Sequence, residues 1–584
     1  MRDRMYGIVI IVLFVIMNIS IPGFHNTAAY AEEEITDQAD AEDQTEESTE
    51  QGKKKIIVTA TRTNIEDEKV TKSVTVISEE QIERSKVQTV AEALRTVPGV
   101  AIRKQGGIGR NTSVNIRGGS TTQTLVLFDG VQSINSPTLG TADIADLFTT
   151  GIERIEVLRG GGSVLFGSTA QAGVVNIITK RGEGKPLVEA LGEFGTNRTW
   201  RETASVSGSL TEPLSLPIKE IYFANSATRV DSDGIGVQND YENWYFTNRV
   251  GCDLNEYINF DFVSRYWDSE VGLDGYPTSG VPAPKTDTIQ KNTMLTIKPA
   301  ININYGWYEG TIAYSGTFQD YYYREPYVGY QDESKMDIDV NKLDVINTIY
   351  FPEVHNVQDT FTVGFDLKGE DVYVANIDDT GSGWFDSPGR EKATTQWGVY
   401  FFDELTLFER VILNGGVRVF RHNEFGRDAV WSTSAAYLHK ETDTKIKASY
   451  DQSYRSPTIN DLYWPDSGWA MGNPNLRPEE GEHYDIGIEQ YLFDRKVMLG
   501  ATYFRNDYSD LIQWSSGFPT QPENISSAQT QGVEIELLYN PTDTISFWAN
   551  YTYVNTEDYS RNEEELWGTP RNMFSIGGNL RFLE

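Results

Sequence analysis

Cysteine is almost absent: Cys252 is the only one in 584 residues. No disulfide framework, Cys-based metal site or lipoprotein anchor near the start follows from it. Histidine is scarce too. The five (His25, His355, His422, His439 and His483) are scattered, with no HExxH pair and no GxSxG turn, so no catalytic set appears and no enzyme is expected. Bases are in deficit, 50 Lys and Arg against 85 Asp and Glu, for a formal charge of −35. That argues against a nucleic-acid partner, because phosphate binding needs a basic face. Long apolar runs are missing as well, with mean hydropathy at −0.43. This excludes a helical membrane protein. It does not exclude a membrane β-barrel, whose strands alternate and average out in hydropathy. Thirty-one Tyr and twelve Trp would suit the aromatic girdles of such a barrel, and would suit a secreted β-protein equally.

The amino-terminus reads as a secretory signal over 1–31. Arg2 and Arg4 precede the apolar run Ile8–Ile16, and Ala29-Tyr30-Ala31 offers small residues for cleavage after Ala31. An anchoring helix is the alternative, but the run is short for a span. Residues 32–55 form a linker. Glu32–Glu50 holds ten acids and no base in nineteen residues, cannot bury apolar area, and is expected to be disordered. After Lys53–Lys55 comes Ile56-Ile57-Val58-Thr59-Ala60, a lone β-branched run that would elsewhere be an edge strand.

Between Val114 and Arg181 lie four short β-rich runs, Val114–Arg117, Thr124–Phe128, Ile152–Leu158 and Val174–Thr179, each punctuated by Gly or Asp-Gly. Arg117 and Arg159 end two of them beside glycines. Ser73–Ser78 reads as a further strand. Ser78-Glu79-Glu80-Gln81 opens a helix with a capping-box pattern, and a second helix around Thr89–Thr96 stops at Val97-Pro98-Gly99. The Gly-rich stretch 106–110 lacks the strand and helix of a nucleotide site and reads as a loop. This part alone is a small α+β domain.

From Leu187 the texture changes to alternating segments of about ten residues. Ile545, Phe547, Ala549, Tyr551 and Tyr553 share one face; Asp443–Tyr450, Val497–Tyr503 and Val533–Tyr539 alternate likewise. Such a period suits a sandwich strand or a barrel strand facing lipid. Connection lengths decide. Short turns (Phe408–Arg410, Phe493–Lys496, Asn540–Asp543) alternate with long polar loops at Val230–Glu242, Asp268–Ile289, Tyr321–Asp337, Val374–Lys392, Ser453–Glu482 and Tyr508–Ser526. That is the pattern of an outer-membrane barrel, here of about eighteen strands. A lumen that wide could hold a domain the size of the α+β part.

The order of motifs is more specific than any one of them. NIRG, LVLFDGV, IERIEVLRG and LFGSTAQAGVVNIITK, then Tyr454-Arg-Ser-Pro457, Gly472-Asn-Pro-Asn-Leu-Arg-Pro-Glu479, Tyr503–Ile512 and Gln531-Gly-Val-Glu534, resemble the TonB-dependent outer-membrane receptors. The resemblance runs from about residue 55 to 584. Two departures, Gly161 for the usual Pro and Ala172-Gly173 for paired glycines, keep small residues in the turns.

The resemblance implies a mostly-β fold: a plug over 61–183 inside a transmembrane antiparallel β-barrel over 184–584, in the cell outer membrane of Gram-negative type. It implies that Ile56, Ile57, Val58, Thr59 and Ala60 are the TonB box, mobile and periplasmic, adding a strand to the partner TonB. It pairs Arg117 and Arg159 with wall acids, and alternation puts Asp485 and Glu534 inward. It implies outer-membrane lipid outside, the loop 106–110 on the ligand side and a scarce small-molecule ligand. Cobalamin is the best match and a ferric siderophore the runner-up; haem is less favoured because 458–471 has no His. A surface-binding barrel that does not transport is the alternative of another class. No cofactor is required. The cobalamin receptors it resembles carry loop calcium, for which Asp231, Asp233, Asp240, Asp274 and Asp287 are the candidates; a plain acidic loop ending in a DG turn is the other reading. Receptors of this family close with about twenty-two strands and end on an aromatic residue. Glu584 is not aromatic, so about four strands are expected to be missing at the carboxyl end, with a gap between first and last strands; direct closure of eighteen strands, pairing Leu187–Phe194 with Asn572–Phe582, is the alternative.

Overall fold

The computed structural model describes residues 56–581 apart from 64, 134–141, 212, 214–217, 236–237, 274–287, 328–329, 379–386, 465, 467–469, 516, 526, 543, 560–564 and 567. The signal and linker expected over 1–55 lie outside the described residues.

From Leu187 on, eighteen strands pair in chain order in a single sheet, beginning with Leu187–Phe194 and ending with Asn572–Leu580. Every pairing in it is antiparallel, as in Ile545–Asp558 against Ser527–Thr542. The two outermost strands are hydrogen-bonded on one side only among the described residues. Alternation sorts the side chains as lipid and lumen require. Tyr484, Ile486 and Ile488 stand exposed, as do Val533, Ile535 and Leu537, whereas Glu534 is wholly buried. The sheet is thus apolar outside and polar inside, which in water would be an aggregating surface and in a bilayer is a span. Among the described residues no helix is long and apolar enough to cross a membrane.

Two of the expected loops are largely strand. Tyr308–Tyr327 and Tyr330–Tyr350 run through most of 321–337, and Val357–Asp378 and Ser387–Leu407 run through much of 374–392. Sequence polarity marks where a hairpin leaves hydrocarbon. Backbone pairing continues beyond that point because each strand still has a neighbour to satisfy its amides. The loop at 508–526 also carries a small hairpin, Ile512–Trp514 with Pro522–Asn524.

The lumen is filled by the amino-terminal domain. Its five-stranded sheet runs Ser73–Ser78, Ile152–Arg159, Gly173–Thr179, Thr124–Phe128, Val131–Gln132. Within this sheet, among the described residues, only Thr124–Phe128 and Gly173–Thr179 pair in parallel. A separate hairpin joins Val100–Lys104 to Thr112–Ile116. Helices Glu79–Ser85 and Val90–Leu94 each start in a capping box, Ser78 with Gln81 and Thr89 with Glu92. Leu147 and Phe148 of this domain pack into one apolar cluster with Tyr241, Tyr245, Trp267 and Met294 of the wall. Plug and wall therefore share a core. One boundary differs from expectation: the strand ends at Ile116, and Arg117 takes a left-handed φ of 51°. That turn carries its side chain from the plug to the wall.

Candidate functional site

The run Ile56–Ala60 is not free, contrary to the mobility expected of it. Ile56 and Ile57 pair antiparallel with Glu66 and Ile65. Arg62, also left-handed, closes the turn by donating its amide to the Val58 carbonyl at 2.7 Å. The amides of Val58 and Thr59 both donate to Glu156 Oε2, at 3.1 and 2.7 Å, and Asn176 Nδ2 donates to Thr59 Oγ1 at 3.2 Å. Ile57 and Ala60 are buried in a cluster with Ile65, Val70 and Val76. The physical reason is plain. An apolar β-branched run gains by leaving water, and Glu156 satisfies amides that burial would orphan.

The chain just beyond this run is tied to the wall. The Arg62 guanidinium donates to the Tyr400 hydroxyl at 3.3 Å, lies 3.5 Å from Asp344 and sits over the Phe166 ring. Thr63 Oγ1 donates to Glu404 at 2.8 Å. Lys445 Nζ reaches the Asp67 carbonyl at 3.1 Å, and Glu68 pairs with Arg495 in the short turn Phe493–Lys496. The segment therefore sits at the short-turn end of the barrel, which is the periplasmic end.

Deeper in the lumen the structure brings Arg117, Arg159, Asp485 and Glu534 together. Glu534 accepts from Arg117 Nε and Nη2, each at 2.8 Å, and from Arg159 Nη1 at 2.8 Å. Arg117 Nη1 also donates to both oxygens of Asp485, at 2.8 and 3.0 Å. Phe504 lies beneath the Arg117 guanidinium at 4.7 Å. Burial works to lower the Arg117 pKa, but the charges of Asp485 and Glu534 more than offset it, so the pKa stands above the ordinary value. The sequence reading misses a fifth member: Arg159 Nη2 donates to Glu536 at 3.1 Å. Glu536 lies two residues beyond Glu534 on the same inward face, a periodicity the sequence does display. Gly99, in sequence only a helix stop, has a second role. A Cβ there would stand 2.3 Å from Glu534 Oε1, so the glycine is what lets the carboxylate in.

The candidate calcium ligands do not converge among the described residues. Asp231 pairs with Arg229 at 2.7 Å and Asp233 with Arg198 at 2.5 Å. The Asp240 carbonyl takes the Gly272 amide at 2.8 Å. Asp274 and Asp287 lie outside the described residues. No group of three or more potential ligands is assembled among those that are described. Arginine, a stronger partner for carboxylate than any neighbouring acid, has taken two of the five.

The TonB dependent receptor-like β-barrel family matches residues 222–584, and the TonB-dependent receptor plug domain matches 66–174. The chain belongs to the TonB-dependent receptor family. The receptor is 28% identical over 521 residues to the vitamin B12 transporter BtuB of Photobacterium profundum, covering 86% of this chain and 78% of that one. To BtuB of Vibrio vulnificus it is 26% identical over 501 residues, covering 83% and 75%. Among solved structures it resembles the Pseudomonas aeruginosa receptor FpvA with bound pyoverdine, with a TM-score of 0.74 at 17% identity over 91% of this chain and 76% of that one. The alcaligin receptor FauA of Bordetella pertussis gives 0.69 at 19%, covering 91% and 88%. At such identities the structural likeness speaks for the fold. Receptors of this family are outer-membrane transporters, and these relatives are transporters or receptors rather than enzymes.

Proposed function

We propose that the receptor imports cobalamin across the outer membrane, driven by TonB pulling on Ile56–Ala60. The observation that carries this reading is the docking of that run. It lies at the periplasmic end, its backbone amides meet a single carboxylate, and the same stretch of chain leads through Arg62 into the wall. A strand donated by TonB competes for those amides, so pairing with TonB and release from Glu156 are one event. The outer membrane holds no ATP and the plug fills the lumen, so passage requires work done on the plug. Arg117 and Arg159 against Asp485, Glu534 and Glu536 are the lock that keeps the plug seated while it is pulled. The choice of cobalamin rests on the two vitamin B12 transporters among the relatives. Ferric siderophores remain the second reading, supported by a fold shared with pyoverdine and alcaligin receptors.

Titration of the purified receptor with cyanocobalamin and with ferric pyoverdine tests the ligand. Saturable binding of cyanocobalamin alone is expected. Binding of ferric pyoverdine alone would transfer the receptor to the second reading.

A further inference from the structure

Near the long-loop end, cations on the outer surface of the wall are met by acids. Arg229 pairs with Asp231 at 2.7 Å, Lys291 with Glu270 at 2.6 Å and Arg505 with Asp507 at 2.8 Å. Arg421 and Arg427 break this pattern. Both are exposed, and among the described residues neither guanidinium has a hydrogen bond, an ion pair or a ring contact. The acids beside them in the chain are engaged elsewhere: Glu424 accepts from Asn423 at 3.1 Å, and Asp428 accepts from the Ala429 amide at 2.7 Å.

The two arginines face each other. Val411–His422 and Gly426–His439 pair antiparallel through a tight outer turn, and their register sets Arg421 directly across from Arg427. Like charges in that relation, about 5 Å apart at the backbone, destabilise the pairing. The order of outward positions fixes their depth. From the periplasmic turn one strand reads Val411, Leu413, Gly415, Val417 and Val419 before Arg421, and the other carries Ala429 and Trp431 below Arg427. Leu413, Val417 and Trp431 are exposed, as groups facing lipid are. Ten residues of strand tilted by about 40° climb about 25 Å, which is the height of an apolar band. The guanidiniums therefore stand where acyl chains give way to headgroups. Trp397, across from Arg421 on its other side, lies at the same level, where interfacial aromatics belong.

We propose that Arg421 and Arg427 form a binding site for the phosphate of a phosphorylated glycolipid in the outer leaflet. A phosphate set between the two planar forks accepts paired hydrogen bonds from each and turns their mutual repulsion into attraction to a shared anion. The acyl chains then lie along Val419, Ala429 and Trp431. A soluble anion would meet the same charges without that apolar contact. The site depends on the barrel's place in the outer membrane and is independent of what the receptor imports.

The full chain purified in a neutral detergent tests this. Titrated with diphosphoryl lipid A and read by native mass spectrometry, the receptor should load one lipid, and fully dephosphorylated lipid A should bind at least about tenfold more weakly. Arg421→Gln combined with Arg427→Gln should lose the same factor, whereas Arg505→Gln, at a cation already matched, should leave binding within twofold. Thermal unfolding adds a sign that a misfolded variant cannot imitate. Without lipid A the double variant should melt at or above the wild-type temperature, because a repulsion is gone; with lipid A it should melt below. Lipid A held by the double variant within twofold of wild type overturns the proposal. So does dephosphorylated lipid that binds as tightly as lipid A, or a double variant that melts low in both settings. Inorganic phosphate binding as tightly as lipid A overturns it too, since the site would then read an ion and not a lipid.

Discussion

Glu534→Ala is the sharpest perturbation the lumen offers. The wild-type carboxylate is fully buried and accepts three bonds of 2.8 Å from two guanidiniums that are themselves 0% and 2% exposed. Removing it leaves Arg117 with Asp485 and Arg159 with Glu536, so neither cation is abandoned, but three donors lose their acceptor in a dry site. Breaking a buried pair from one side costs about 3–5 kcal/mol, here through three buried charged donors left without their acceptor rather than through an unpaired charge. That converts to roughly two to four powers of ten in the population of the undocked plug. Hydrogen exchange of the plug strands in the intact barrel reads this directly, because amides protected by docking exchange through the undocked state. Adding Arg117→Ala to Glu534→Ala should then cost less than Arg117→Ala alone, since the Arg117–Glu534 interaction is already gone and only the Arg117–Asp485 pair remains to be lost. Exchange within tenfold of wild type, or strictly additive effects, would refute the claim that these carboxylates seat the plug.

Glu156→Gln should loosen the docked run Ile56–Ala60, raising exchange of its amides by about ten- to a hundredfold and strengthening binding of a TonB fragment; unchanged exchange counts against competition for those amides. Gly99→Ala should cost more than the usual glycine substitution, because the φ there is +70° and the new methyl meets Glu534; thermal unfolding of the plug in this variant should resemble that of Glu534→Ala. Asp143 is pushed up to about 7, first by burial and then by Asp146. A carboxyl raised in the folded state binds its proton more tightly than in the unfolded chain, so its support is full below about pH 4 and is lost as pH rises through about 7. Docking of the plug segment around Asp143 should therefore weaken between about pH 4 and 7 and level off above, measured by local exchange, and Asp143→Asn should flatten that profile.

The fold was legible because its determinants are local and periodic. Two-residue alternation and turn spacing place Glu534 inward and Val533 and Ile535 outward without any knowledge of the third dimension. The capping boxes at Ser78 and Thr89 are likewise complete within four residues. What escaped the sequence depends on contacts far apart along the chain. Glu156 sits in IERIEVLRG looking like any strand acid, and nothing nearby says that its carboxylate meets amides at Val58 and Thr59. Arg62 shows no local sign that it reaches Asp344. The extent of the outer hairpins was missed for another reason: polarity reports solvent, whereas strand length is set by the neighbouring strand. The five loop acids were grouped by their crowding in outer loops and by the resemblance to receptors with loop calcium, and Arg198 and Arg229 took two of them.

The most direct test of the account is uptake of cyanocobalamin by cells carrying the receptor with Ile56–Ala60 deleted, measured beside surface binding. The account predicts binding at wild-type level with uptake abolished, because the ligand site is intact and the point of traction is gone. Uptake at the wild-type rate would contradict it.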